Sequence, residues 1–420
     1  MPPARAADRP GDHDDVKQRR ALTHVGGATE TEGDRADADR LAAALAVPPA
    51  TAAGDLARAH VHGFHTYPAR MHPVTAARLV AAFVPPGARV LDPFCGSGTV
   101  LVEALVAGRP AVGSDLNPLA VRLAACKTRP RAAGELDRLL AVAADCAATA
   151  DRRRTAKAGA SRRLPRADVE LFEPHVLLEL DSLRAAVAAL PADPVRADLE
   201  LVLSSLLVKL SRKPGDTAAG RAPRRTAGGF AARLFADRAR ELVAQLAELA
   251  RLLPQPPPAA AVVQDDATAL ARLPPGPVAA IVTSPPYAAT YDYLGHHDVR
   301  LRWLGLDPAP LAHGEIGSRS AYARLAPGAA RAAWARELER FFRAAARVLP
   351  AGGPLVVLMG DSAVGGAALR ADEVVAAAGR ACGFVPRARA SQARPHFHGP
   401  SAPAFRTAPR REHALLLRKA

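Results

Sequence analysis

The sequence predicts an α/β fold: a doubly wound, mostly parallel Rossmann-like sheet interrupted by one helical insertion. Three observations carry this. Short apolar runs alternate with helical patterns in five βα-type units. The alternation breaks between residues 130 and 255, where the pattern is helical throughout. Two loop motifs, Asp92-Pro93-Phe94-Cys95-Gly96-Ser97-Gly98-Thr99 and Ser284-Pro285-Pro286-Tyr287, each follow an apolar run.

The elements follow in order. Residues 1–55 are polar, charged and rich in Ala, Gly and Pro, and read as a disordered lead-in with a short helix near Asp39–Leu45. Helical spacing over Val74–Phe83 stops at Pro85-Pro86-Gly87. Ala88–Leu91 reads as a buried strand, Thr99–Ala107 as the helix after it, and Ala111–Ser114 as the next strand. Asn117–Thr128 is a helix with Pro118 in its first turn. Within the helical block, basic Gly/Pro-containing stretches occur at 152–166 and 211–229. Strands resume at Ala260–Val263 and Val278–Val282. A helix over Trp334–Leu349, a strand at Pro354–Met359, a helix at Asp372–Cys382 and a strand at His413–Leu417 complete the series. The expected division is a main domain of 56–130 with 256–420, and a helical insertion at 131–255.

The chain has 420 residues, 49% of them hydrophobic, enough for a large core. Its formal charge of +15 suits a polyanionic partner. Residues 1–55 hold 7 Lys/Arg against 10 Asp/Glu, so the excess lies beyond them, 49 against 31. The four cysteines (Cys95, Cys126, Cys146, Cys382) show no paired spacing, which points away from a zinc site or a disulfide framework. No long apolar run and no signal-peptide pattern is present, and a cytoplasmic protein without membrane contact is expected.

In an open α/β sheet, ligands bind beyond the carboxyl ends of strands where the strand order reverses. Gly96 and Gly98 permit a tight turn and close approach of backbone to ligand. The N–H groups opening the Thr99 helix then face an anionic group, here a methionine carboxylate, with Asp92 receiving the methionine amine. Asp115, 23 positions after Asp92, suits the two ribose hydroxyls of a nucleoside; capping the Pro118 helix is its bland alternative, for which Asn117 competes better. Asp265-Asp266 suits an adenine amino group, or a solvated turn. Cys95 reads as a small packing residue.

Ser284-Pro285-Pro286-Tyr287 points to the reaction type. An aromatic exocyclic amine is a poor nucleophile because its lone pair is delocalised. Hydrogen bonds from the amine to the Ser284 side chain and the Pro285 carbonyl would restore that lone pair, and two prolines hold the acceptors ready. Tyr287 can stack on the target ring, with Tyr291, Tyr293 and Trp303 as further candidate walls.

Both motifs resemble those of the S-adenosylmethionine-dependent amino-methyltransferases of DNA, the N4-cytosine/N6-adenine class. The segment His65-Thr66-Tyr67-Pro68-Ala69-Arg70-Met71-His72-Pro73 is similar to the one that closes over the methionine end in that family. The resemblance covers roughly 60–130 and 260–420. It implies a seven-stranded sheet, S-adenosylmethionine as cofactor, and duplex DNA with a flipped base as substrate. It also implies a restriction endonuclease as a candidate partner and no metal. Cofactor residues would be Tyr67, Pro68, Asp92, Pro93, Phe94, Cys95, Gly96, Ser97, Gly98, Thr99, Asp115, Asn117, Asp265 and Asp266. Catalytic residues would be Ser284, Pro285, Pro286 and Tyr287. Ser at the first catalytic position favours cytosine N4; adenine N6 and guanine N2 of transfer RNA are the alternatives. A silent nucleic-acid-binding protein is the reading from a different class.

Arg212, Lys213, Arg221, Arg224 and Arg225 cluster with four glycines and form a candidate clamp on the phosphate backbone, or a solvated loop. The helical block containing them is the candidate target-recognition region. Residues 387–419, with eight Lys/Arg and one acidic residue, are a second candidate for strand contact.

Overall fold

A computed structural model describes residues 27–47, 56–212, 226–394 and 399–420. The central sheet has eight strands: β1 (Thr29–Gly33), β2 (Val90–Asp92), β3 (Ala111–Asp115), β4 (Ala260–Gln264), β5 (Ala280–Thr283), β6 (Pro354–Gly360), and, after a small hairpin of β7 (Ser362–Val364) and β8 (Ala367–Leu369), β9 (Phe384–Ala393) and β10 (Arg411–Lys419). Their order is β1-β9-β10-β6-β5-β2-β3-β4. Strands β4, β3, β2, β5 and β6 run parallel. β10, β9 and β1 add antiparallel pairs at one edge. The chain steps outward from β2 through β3 to β4, then returns to β5 on the other side of β2. The order therefore reverses between β2 and β5, which is where ligands enter this kind of sheet.

Helices cover both faces, and the strands alternate accordingly. Ala280, Val282, Val356, Leu358, Ala414 and Leu416 pack beneath α1 (Arg35–Leu45), α2 (Pro73–Phe83) and α3 (Thr99–Val106). Ile281, Leu355, Val357, Met359, Leu415 and Leu417 face the opposite layer. Burial on both sides explains why these strands read as continuous apolar runs. α4 (Pro118–Thr128) begins at Asn117, whose side chain accepts from Leu119 N at 3.0 Å.

The helical block holds α5 (Glu135–Thr155), α6 (Arg166–Leu171), α7 (Pro174–Ala188), α8 (Pro194–Leu210) and α9 (Phe230–Leu252). It has a core of its own, into which Leu119 and Leu123 of α4 and Trp303 of α10 (Tyr293–Leu304) are built. After α11 (Ala309–Gly314) and α12 (Arg319–Tyr322), α13 (Pro327–Val348) and α14 (Ala371–Ala381) form the layer over the second sheet face.

The doubly wound fold with a helical insertion is as expected, with two corrections. The sheet has eight strands, not seven, and the extra one falls in the stretch read as disordered. Residues 29–45 form β1 and α1. Polar composition misleads there because Glu30 and Glu32 are neutralised by Arg411 and Arg389 across the sheet edge, while Leu41, Ala44 and Leu45 bury one face of α1. No helix among the described residues is long and apolar enough to cross a membrane.

Candidate active site

Four strand ends converge on one open cleft. β2 delivers Asp92 and the glycine loop, β3 delivers Asp115, the turn after β4 delivers Asp266, and the loop after β5 delivers Ser284 and Pro286. A hydrogen bond ties the two motif loops together: Thr283 Oγ1 donates to Asp92 Oδ1 at 2.6 Å. β2 and β5 are adjacent parallel strands, so Gly96 and Ser284 share one rim, as expected.

The glycine loop is braced from below. Gly96 takes a φ of +49°, and a Cβ there would stand 3.2 Å from the Tyr67 ring. Gly98 takes +84° and starts α3, with Ala124 of α4 3.0 Å from where its Cβ would be. Asp115 accepts from Gly96 N at 2.8 Å and from Asn117 N at 2.9 Å, so its carboxylate both shapes the loop and lines the cleft. Lys127, buried, donates to the Ser97 carbonyl at 2.9 Å. Burial raises the Asp92 carboxyl to about 7 and Asp115 to about 6, the latter opposed by the backbone N–H groups it accepts from.

These residues fit a nucleoside carrying an amino acid. Ser97 Oγ and Thr99 Oγ1, at the start of α3, are buried without a hydrogen-bond partner, and both residues line the cleft. Unpaired buried hydroxyls are costly, and a carboxylate at the helix N-terminus would satisfy them. Asp115 uses two acceptor positions on backbone N–H groups. A carboxylate offers about four, which leaves two for a ribose diol. Phe94, edge-on to Phe341 at 5.2 Å, supplies an apolar wall.

Tyr67, Pro93, Phe94, Cys95, Ser97, Thr99 and Asn117 line the cleft as expected. Others do not. Asp265 turns inward, accepting from Asp266 N at 2.9 Å and from Arg272 N at 2.8 Å, because a buried carboxylate at a strand end is best satisfied by the turn that follows it. Gly98 works on the packing side of the loop. Pro68 and Pro285 are absent from the cleft wall. Tyr287 is absent from it as well: its ring edge lies against Gly360 of β6. Of the further aromatic candidates, Tyr293 lines the cleft, whereas Trp303 is core, edge-on to Phe172 at 5.7 Å. Burial pushes the Cys95 thiol well up, which fits a packing role.

The sequence reading missed Arg70, Met71, Leu311, Glu315 and Ile316, all on the cleft wall. Glu315 holds this wall in place by accepting from Tyr293 N at 2.7 Å. Arg212 pairs with Glu173 at 2.9 Å; Lys213, Arg221, Arg224 and Arg225 lie outside the described residues.

The segment that carries Tyr67 and the glycine loop is also where the similarity to known proteins lies. Residues 50–125 match the DNA methylase family. Among curated proteins, the chain is 39% identical over 82 residues to the Type II methyltransferase M.MvaI of Kocuria varians, covering 19% of this chain and 18% of that protein. It is 31% identical over 81 residues to the Type II methyltransferase M.MjaII of Methanocaldococcus jannaschii, covering 19% and 15%. The matches thus span less than a fifth of either relative's length. Among solved structures, the chain is similar to the rRNA methyltransferase aviRa from Streptomyces viridochromogenes, at 14% identity, over 87% of this chain and 92% of that one, with a TM-score of 0.31.

Proposed function

We propose that this cleft binds S-adenosylmethionine and directs methyl transfer to the exocyclic amine of a DNA base, cytosine N4 in the leading reading. The observation that carries the proposal is the shared rim: the glycine loop of β2 and Ser284 after β5 open into one cleft, joined by the Thr283–Asp92 hydrogen bond. The DNA methylase match over 50–125 supports the cofactor half of the reading. The Type II methyltransferase names of the two relatives support the methyl-transfer half.

When bound, the cofactor supplies an electrophilic methyl on a sulfonium. The chain's own residues do the rest. Ser97, Thr99 and the first N–H groups of α3 would hold the amino-acid carboxylate, Asp115 the ribose, and Asp266 the adenine edge. Ser284 Oγ, on the cleft wall, would accept an amine N–H group and help free the nitrogen lone pair. Tyr287 packs against Gly360 beside this loop, in place of the stacking expected from sequence. Prealignment of the two reactants supplies most of the acceleration.

The test is incubation with methyl-labelled S-adenosylmethionine and mixed DNA and RNA, then digestion and mass spectrometry of the nucleosides. Label in N4-methylcytosine from DNA is expected. Label in N6-methyladenine, or in N2-methylguanosine from RNA, would replace the base or the polymer. Cofactor binding with no label in any nucleoside would reduce the protein to a silent binder.

A further inference from the structure

Beneath the cofactor loop lies a second buried constellation. His60 and His62 sit on a 3-10 turn, His60–Gly63, just before the segment that carries Tyr67. Glu103 sits in α3, directly after the glycine loop. Their side chains meet: His62 Nε2 lies 2.7 Å and His60 Nε2 4.0 Å from the same oxygen, Glu103 Oε1. The imidazole centroids are 4.6 Å apart, tilted by 50°. All three residues are buried.

A hydrogen bond explains only half of this arrangement. The His62 separation is one; the His60 separation is too long to be one. His60 nonetheless aims its ring at the carboxylate from a backbone φ of +37°, which disfavours any residue with a Cβ. Nδ1 of both rings is buried without a partner, so neither ring is oriented by a hydrogen bond at that atom. Such strain persists where the surroundings over-determine it, commonly at a ligand clamp.

We propose that His60, His62 and Glu103 form a site for one divalent transition-metal ion, zinc foremost, which clamps the Tyr67 segment onto α3. Two imidazoles and a carboxylate are a ligand set zinc takes, with bonds of ~2.0–2.2 Å. Tetrahedral bonds of that length put ligand atoms ~3.3 Å apart, and the observed 2.7 and 4.0 Å straddle that spacing. An ion between the three groups would lengthen the short separation and close the long one. The negative charge of Glu248 on α9 also reaches His60. Two cations face the cluster, but each is tethered elsewhere: Lys127 Nζ to the Ser97 carbonyl, and the Arg70 guanidinium to the carbonyls of His62 and Ala57. A second buried triad, Asp361, Asp372 and His413, makes a contrast. Arg370 and Arg389 already neutralise its carboxylates, so it needs no ion.

The site does not depend on the methyl-transfer reading. An ion there would couple the covering Tyr67 segment to the helix that begins at Thr99, fixing both sides of the glycine loop. The experiment uses the full chain. Metal content of protein purified without chelator is measured by mass spectrometry. Stripped protein is then titrated with zinc chloride against a chromophoric chelator. Roughly one zinc per chain is expected, with stabilisation against heat on rebinding. His60→Ala and Glu103→Gln should each weaken zinc binding by ~10-fold or more, since each removes a ligand. His60→Gln serves as a second variant should His60→Ala fold poorly, and His313→Ala, on α11 and outside the cluster, should bind zinc as the native chain does. Native protein that shows no saturable zinc binding overturns the proposal. So does binding that survives intact in folded His60→Gln and Glu103→Gln.

Discussion

Asp115 is asked to do two things, and its variants separate them. Its carboxylate accepts from Gly96 N and Asn117 N at a half-buried position on the cleft wall. Asp115→Ala removes both hydrogen bonds, at ~0.5–1.5 kcal/mol each where water reaches the donors, so a stability loss of about 1–3 kcal/mol is expected. Asp115→Asn keeps one acceptor oxygen and should lose roughly half as much. Cofactor affinity follows a different logic. If the two remaining acceptor positions hold the ribose hydroxyls, the loss is two hydrogen bonds to a charged group, ~1.5–3 kcal/mol each. At 1.4 kcal/mol per tenfold, that predicts binding at least ~100-fold weaker. Urea unfolding measures the first quantity, and calorimetry with S-adenosylhomocysteine measures the second, at a temperature where each variant remains folded. An Asp115→Asn protein that is destabilised but binds the nucleoside as tightly as the native chain would refute the ribose role and leave Asp115 as a loop brace.

Ser284→Ala should leave S-adenosylhomocysteine affinity nearly unchanged and lower turnover by ~100-fold or more, as when a preorganised hydrogen-bonding group is removed; full turnover in a methylation assay would discard its role. Cofactor affinity should depend on pH through Asp115. Burial raises its carboxyl to about 6 from ~3.9 in the unfolded chain, so the folded state binds the extra proton and fold stability falls as pH rises through that window. The nucleoside needs the ionised form, so its affinity should fall as pH drops through about 6, with Asp92, raised to about 7, adding a step of its own above that; calorimetry from pH 5 to 8 with no inflection near 6 would contradict the role of Asp115. Neutralising Arg224 and Arg225 should flatten the salt dependence of DNA binding, by a slope of ~0.9 for each phosphate the protein no longer neutralises. Arg212→Ala should change the slope less, because Arg212 is already paired with Glu173; equal slopes in both variants would remove the distinction.

The parallel strands and their loops were legible because burial on both faces writes apolar runs into the sequence, and glycines with positive φ mark the turns that follow. Most of the cleft wall was legible for the same reason: it is built from strand ends. Of the antiparallel edge only β10, read at His413–Leu417, was. β9 carries Pro386 and polar residues in alternation, and its pairing with β10 shifts register between Leu416 and Leu417. Prolines and bulges both obscure a strand pattern. Residues 311–316 were illegible because they reach the cleft from the short helix α11 and the turn after it, where only tertiary contacts decide which side chains face inward. Tyr287 was assigned a stacking face from its motif alone, yet Gly360 gives its ring a place against β6 that no local spacing encodes.

The basic C-terminal stretch reads in sequence as available to a phosphate backbone, but the fold engages much of it internally. Arg389 pairs with Asp372 and Glu32, Arg394 with Glu412, and Arg411 with Glu30; Arg410 donates to the Asp361 carbonyl at 2.9 Å. The acidic residues of β1 are what draw β1 onto the basic edge strands, so the two ends of the chain compensate each other. The helical block differs. Arg152, Lys157 and Arg163 are exposed there and form no salt bridge among the described residues, within the basic stretch 152–166. Free surface cations, not paired ones, release counterions when a polyanion binds. The proposed grip on DNA therefore falls to the helical block, which shares α10 with the cleft: Tyr293 at one end of that helix lines the site and Trp303 at the other is packed in the block's core.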